Sequence, residues 1–384
     1  MLLKLLLRNV FRHRLRACLT IVGMAVAILA FGLLRTVITA WYAGVEASSA
    51  NRLVTRNAIS LIFPLPLSYK EKIRSVEGVH LVSYGNWFGG IYIDEKNFFA
   101  NFAVEPASYF ELYPEFLLSE AESTAFFRDR KACVAGNKLA ARFGWKIGDT
   151  IPLRGTIFPG NWDFVLRGIY QGKDRTTDEN QFFFHWEYLN ETIRKTIARR
   201  ADQVGFYMIG VRRPEQAATV SETVDGLFRN SFAETLTETE KAFQMSFVSM
   251  TETIITVIVL VSDVIIVIIM AVVANTMAMS VRERMGEYAV FKTLGFGSGY
   301  LAGLILGESL LLTAVGGLIG IGATFPAAAI FGKAAGQFFP VFHVAPETLW
   351  MDMAAAVIVG ISAALIPIWR VVHVRIADGL GRIG

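Results

Sequence analysis

The sequence predicts an α-helical membrane protein with four transmembrane helices and a large extracytoplasmic mixed α+β domain inserted between helices 1 and 2. Three observations predict it. Of 384 residues, 53% are hydrophobic and only 18% charged, against about 25% charged in a soluble domain. Four stretches reach the roughly 20 mostly apolar residues that cross a bilayer. The net charge is +4, and its Lys and Arg residues crowd beside those stretches, the pattern of cytoplasmic flanks rather than of a nucleic-acid surface.

Residues 1–16 mix Leu with Lys4, Arg8, Arg12, Arg14 and Arg16, suiting an amphipathic helix in the cytoplasmic interface. Residues 17–40 form the first transmembrane helix, uncharged over 17–34. That run is too long for a signal-peptide core and no small-x-small site follows it closely, so an uncleaved anchor is expected. Residues 41–246 form the external domain. Helix is expected over 69–76, strands over 79–83 and 90–93, then a strand, a helix over 137–143 and a Gly148-Asp149 turn into another strand. Strands follow over 164–170, 181–186 and 204–211, and a helix over 214–228 with Ala217, Val220, Val224 and Leu227 on one side. Residues 234–254 lack Pro and Gly and are expected to rise as one continuous stalk helix into the second transmembrane helix, 247–281. A charged segment, 282–297, is followed by the third helix, 298–330. A short external loop, 331–348, leads to the fourth helix, 349–369, with Asp352 at its start. The tail, 370–384, carries Arg370, Arg375 and Arg382. Basic residues beside the spans place both termini and the 282–297 segment in the cytoplasm.

Ionisable groups within a bilayer are costly and are usually paired or functional. At 1.5 Å per residue, Arg35 lies about 27 Å and Asp263 about 26 Å from the cytoplasmic face. Equal depth and opposite charge suggest a pair between the first two helices; the other reading is that each snorkels separately to the headgroups. Glu308, counted from Ser298, lies about 15 Å deep, where it acts either as a packing residue or as a relay carboxylate. Gly303-x-x-x-Gly307 and Gly316-x-x-x-Gly320 supply small residues for close helix packing.

Several chemistries lack their signatures. There is no P-loop, no G-x-S-x-G and no H-E-x-x-H. The five histidines are scattered without ligand spacing, and Cys18 and Cys133 make no disulfide framework. A non-catalytic subunit with no metal or cofactor of its own is expected. Phe182–Phe184, Trp162 and Trp186 could line a substrate cavity, but such residues more often fill strand cores.

Asn275-Thr276-Met277, Arg282-Glu283-Arg284, Glu287, Lys292-x-x-Gly295, Glu308, Gly316-Gly317 and Gly320 resemble the C-terminal pattern of FtsX-superfamily permeases. More narrowly, the chain is similar to MacB-type (type VII) ABC transporter membrane subunits. Tyr288 and Thr293 stand where that pattern commonly has Ile and Ala. The run from Gly136 to Asp149 is similar to a motif of the family's external domain.

The resemblance implies a MacB-type periplasmic core domain and a dimer, with a second copy or a homologous permease. It implies a cytoplasmic ABC ATPase, holding ATP and Mg on a separate subunit, that docks on Arg282, Glu283, Arg284, Glu287, Tyr288, Phe291, Lys292 and Gly295. It further implies relay of ATP-driven motion to the periplasmic domain in the bacterial inner membrane, with a periplasmic adaptor, an outer-membrane channel, membrane lipid and no nucleic acid as surroundings. A lipoprotein-releasing permease similar to LolC or LolE and a regulator of cell-wall hydrolases are the alternatives within the family. An ion-coupled transporter using Asp263 and Glu308 is the alternative outside it. The apolar residues of 282–297 (Met285, Tyr288, Val290, Phe291, Leu294) spread around a helix at 100° per residue, so position and charge, not amphipathicity, mark the docking segment.

Overall fold

The computed structural model describes residues 6, 8–174, 176–335, 339 and 341–373. The chain divides into two compact units: Met1–Ala40, Thr251–Ala335 and Phe342–Gly384 form one, Trp41–Met250 and Gly336–Val341 the other.

The first unit is built from helices. Among the described residues, four are long and apolar enough to cross a membrane: Arg14–Ala47, Glu252–Glu283, Ser298–Ala335 and Pro346–His373, hereafter the first to fourth spans. Their outer faces are apolar. Leu15, Leu19, Val22 and Val26 are exposed along one stripe of the first span, and Val257, Leu260, Val264, Val267 and Ile268 on the second. A surface of that extent is stable against lipid, not water. Inside, Met24, Ile28, Phe31, Val273, Met277, Leu301, Ile305, Val359 and Ala363 form one core.

Glycine sets how closely the spans approach. A Cβ on Gly316 would fall 2.7 Å from the Met24 Cβ, and one on Gly320 would fall 2.7 Å from the Ala25 carbonyl. Ser309 Oγ donates to the Gly360 carbonyl at 2.7 Å, linking the third and fourth spans. Gly303 faces open space, whereas a Cβ on Gly307 would meet Leu6. The first of the two predicted glycine motifs therefore makes no packing contact at Gly303 among the described residues.

The second unit is a mixed sheet with helices on both faces. In spatial order its strands are Thr235–Thr239, Arg52–Asn57, Phe206–Val211, Val79–Trp87, Ala100–Val104, Gln181–His185, Ala132–Gly136, Gly160–Gly172, Thr150–Gly155 and Gly90–Ile91. Gln181–His185 runs parallel to Ala100–Val104, and Ala132–Gly136 parallel to Gly160–Gly172. Parallel strands are covered on both faces and so lose the apolar–polar alternation. Phe182 and Phe184 enter one core while Phe183 enters the opposite one. Gly160–Gly172, nearer the edge, keeps the alternation and buries Trp162, Phe164, Leu166 and Tyr170. Gly148, at φ +100°, makes the turn that leads into Thr150–Gly155.

Three expectations need correction. Residues 234–254 are not one helix: Thr235–Thr239 is an edge strand, Glu240–Met250 a helix, and Thr251 interrupts it before Glu252 begins the second span. Thr237 Oγ1 lies 2.9 Å from Thr55 Oγ1 across the ladder, Thr235 and Thr237 both donate to Asp225, and this non-local pairing overrides local helix propensity. At the N-terminus, Phe11–His13 is a 3-10 turn that runs directly into the first span; residues 1–5 and 7 lie outside the described residues. The third span extends to Ala335 and the fourth starts at Pro346, leaving a shorter connection than 331–348, of which 336–338 and 340 are not described. Residues 374–384 of the tail also fall outside.

Candidate coupling site

The charged segment between the second and third spans folds as a short helix, Met285–Thr293, entered through Arg284 and closed by Gly295 at φ +86°. Most of its charges are committed within the bundle. Arg16 holds Glu283 with two hydrogen bonds, at 2.7 and 2.9 Å, and His13 lies 3.4 Å from the same carboxylate. Arg12 pairs with Glu287. Arg284 turns inward: its Nε donates to Glu287 at 3.1 Å and its Nη1 to Glu308 at 2.6 Å. Burial works against the Glu287 charge, yet the hydrogen bonds from Arg12 and Arg284 outweigh it and hold that carboxyl below its usual range. Lys292 Nζ donates to the Val372 carbonyl at 3.0 Å, tying the short helix to the end of the fourth span.

The docking assignment is corrected accordingly. Arg284 is buried against Glu308, and Tyr288 is 2% exposed beneath the Arg284 guanidinium; neither can touch a partner. Phe291 packs partly on the bundle core and edge-on to Phe296. Exposed on this segment are Arg282, Glu283, Glu287, Gly295 and an apolar tip of Val290, Leu294 and Phe296. Sequence reasoning named Val290 and Leu294 among the segment's apolar residues but left them, and Phe296, outside the docking set. The tip's signal was present: large apolar residues flanking a left-handed glycine at the end of a charged turn.

Glu308 is not a lone carboxylate at mid-depth. It pairs with Arg284, the residue that closes the second span. Arg35 Nη2 meets Asp263 Oδ1 at 3.0 Å, with its guanidinium 5.1 Å from the Phe31 ring centre, so the structure brings that predicted pair together. Asp352, in the fourth span, is fully buried with neither carboxyl oxygen partnered, against Gly32 and Thr324. Sequence reasoning placed it at the span's start without foreseeing its burial.

The mixed unit has its own buried ionic joint. Arg52 opens the strand after the first span, and Glu240 opens the helix before the second. Arg52 Nε donates to Glu240 at 2.8 Å, its Nη2 lies 2.7 Å from Glu115, and its Nη1 donates to the Leu112 carbonyl at 3.0 Å. Tyr113 Oη and the Ser49 amide donate to the two Glu240 oxygens, each at 2.9 Å. Burial disfavours the Arg52 charge, but Glu240, Tyr113 and Glu115 more than offset it and raise its pKa. Among the described residues, no group of three or more His, Cys, Asp or Glu could hold a metal ion.

An ABC transporter permease of Methanocaldococcus jannaschii, itself uncharacterized, is 26% identical over 335 residues, covering 82% of this chain and 80% of the relative. Among solved structures, the periplasmic region of MacB from Actinobacillus actinomycetemcomitans is similar at 10% identity and a TM-score of 0.38, covering 53% of this chain and 95% of that one. The extracellular domain of the ABC-type transporter YknZ from Gram-positive bacteria is similar at 8% identity and a TM-score of 0.36, covering 49% of this chain and 100% of that one. Residues 258–376 match the family described as FtsX-like permease C-terminal. The matched residues take in most of the second span together with the third and fourth.

Proposed function

We propose that this chain is the membrane subunit of an ABC transporter. It takes mechanical work from an ATPase on the cytoplasmic face and relays it to the mixed domain on the other side for export of substrates. The observation that carries this reading is the construction of the Met285–Thr293 helix. Arg12, Arg16, Arg284 and Lys292 fasten it and its flanks to three different spans, while Val290, Leu294 and Phe296 stay exposed. A tip held so firmly transmits a push instead of yielding to it. The FtsX-like match and the permease relative support the same reading.

In this role the chain itself is non-catalytic, with ATP and Mg bound by the ATPase. Both termini face the cytoplasm, and the subunit works beside a second copy or a homologous permease in a bacterial inner membrane. An adaptor and an outer-membrane channel would complete the route.

Affinity purification of the full chain from its native membranes, with ATPase activity measured in the eluate, tests the proposal. Val290→Asp with Leu294→Asp should lower the recovered activity at least tenfold. Equal recovery from the variant, or an eluate without ATPase activity from the unmodified chain, refutes it.

A further inference from the structure

We infer that the bundle carries a binding site for an anionic phospholipid between the first and second spans, at the end where His13, Arg14 and Arg16 lie. A cleft of about 550 Å³ opens there, walled by these three basic side chains, by Leu15 and Leu19, and by Val272 of the second span. Thr20 and Thr276 lie 3.5 Å apart in the same cleft. The inference rests on the spans lying in a bilayer and not on the presence of an ATPase.

Charge selects the headgroup. Of the cleft's basic groups, Arg16 and His13 share one carboxylate, Glu283. Arg14 is exposed and takes no carboxylate partner among the described residues. The cleft therefore keeps a net positive charge where a phosphodiester would sit, and basic pockets between helices at that level suit anionic headgroups. A zwitterionic lipid would bring its own cation against Arg14 and lose the attraction. Geometry selects the tail. Leu15 and Leu19, one helical turn apart, are 77% and 64% exposed, and the stripe continues through Val22 and Val26. Val272 is exposed on the facing helix. A cation beside an apolar track leading away along two helices accommodates a phosphate with an attached acyl chain, whereas a free phosphate would leave the track empty.

Native mass spectrometry of the full chain, released from detergent with defined lipid added, tests this. Phosphatidylglycerol should be retained at least tenfold better than phosphatidylcholine. Arg14→Ala should lower phosphatidylglycerol retention about fivefold, the effect of one surface cation on an anionic lipid. Arg370→Ala removes an exposed cation outside the cleft and should leave retention unchanged. Val272→Trp fills the apolar wall and should lower retention of phosphatidylglycerol even where Arg14 is intact. Equal retention of the two lipids, or equal losses from Arg14→Ala and Arg370→Ala, overturns the site. Competition by glycerol 3-phosphate as strong as by phosphatidylglycerol also overturns it, by showing a free-phosphate site. None of these outcomes depends on ATPase recovery, so this site and the proposed function fail separately.

Discussion

Replacing Glu308 with alanine strips Arg284 of its buried partner and tests whether the two form a structural lock. The side chains are 7% and 3% exposed, and the Nη1–Oε1 distance is 2.6 Å. Removing one member of a buried ion pair costs about 3–5 kcal/mol, because the other charge stays behind without compensation. Here Arg284 keeps its bond to Glu287, whose side chain is 43% exposed and so remains partly solvated. That surviving contact places the expected loss near the lower end, about 3 kcal/mol, or roughly two powers of ten in the folded ratio. Glu308→Leu combined with Arg284→Met replaces the pair by apolar groups and should recover stability to within about 1 kcal/mol of the original, as such replacements are often neutral or better. SDS-induced unfolding of the full chain in mixed micelles supplies the measurement. If Glu308→Ala costs under about 1 kcal/mol, or the double variant is no more stable than Glu308→Ala, the lock does not exist.

Three further outcomes are expected. Gly316→Leu drives a side chain into Met24 and the Ile21 carbonyl and should cost at least about 1–3 kcal/mol, while Gly303→Ala, in open space, should be neutral or stabilising by up to about 1 kcal/mol; the same unfolding assay ranks the two. Glu240→Ala leaves Arg52 buried with Glu115 as its carboxylate partner and should cost about 3 kcal/mol, read as a lowered near-ultraviolet circular dichroism midpoint, with Arg130→Ala at the exposed pair with Glu191 costing under about 1 kcal/mol. His185 is held below its ordinary pKa by burial, its Nε2 lying 2.7 Å from the Phe126 carbonyl. The unfolded chain therefore takes up that proton first, so stability is complete above about pH 6.5 and falls as pH drops through the folded value. His185→Gln should flatten this limb of the stability–pH curve, and an unchanged slope would assign the limb to other groups.

What could be read in advance was whatever depends on local pattern. The spans announce themselves by length and apolarity, and the Gly148 turn by a Gly-Asp pair between two strand-like runs. The strand expected over 164–170 is present, with bounds that extend to Gly160–Gly172. Features that depend on a distant partner could not be read. Residues 235–239 look helical alone and become a strand because Thr55 and Arg56 pair with Thr237 and Glu238 across the ladder. Arg284 looks like a surface charge until the start of the third span brings Glu308 beneath it. Asp263 and Arg35 were the favourable case, because their partnership follows from depth along two straight helices, a quantity that counting residues supplies.

The network also reverses what the charges of the coupling segment are for. A mixed-charge segment between two apolar spans invites the idea that its charges recognise a partner. Yet Glu283, Glu287 and Glu308 are each matched by an arginine of this chain, and Lys292 reaches a backbone carbonyl. Matched charges have less to offer a second protein, and truncating Glu308 leaves Arg284 without its buried partner. In the proposed role, docking strength comes chiefly from desolvating Val290, Leu294 and Phe296, none of which belonged to the docking set read from the sequence. Substitution of Glu287 or Arg284 would weaken a partner's attachment only by loosening the helix that presents the tip, so its effect would track loss of stability. Substitution of Leu294, which is 69% exposed, would weaken attachment with stability intact. The two classes of variant therefore separate a joint that holds the lever from the surface on which the lever is pushed.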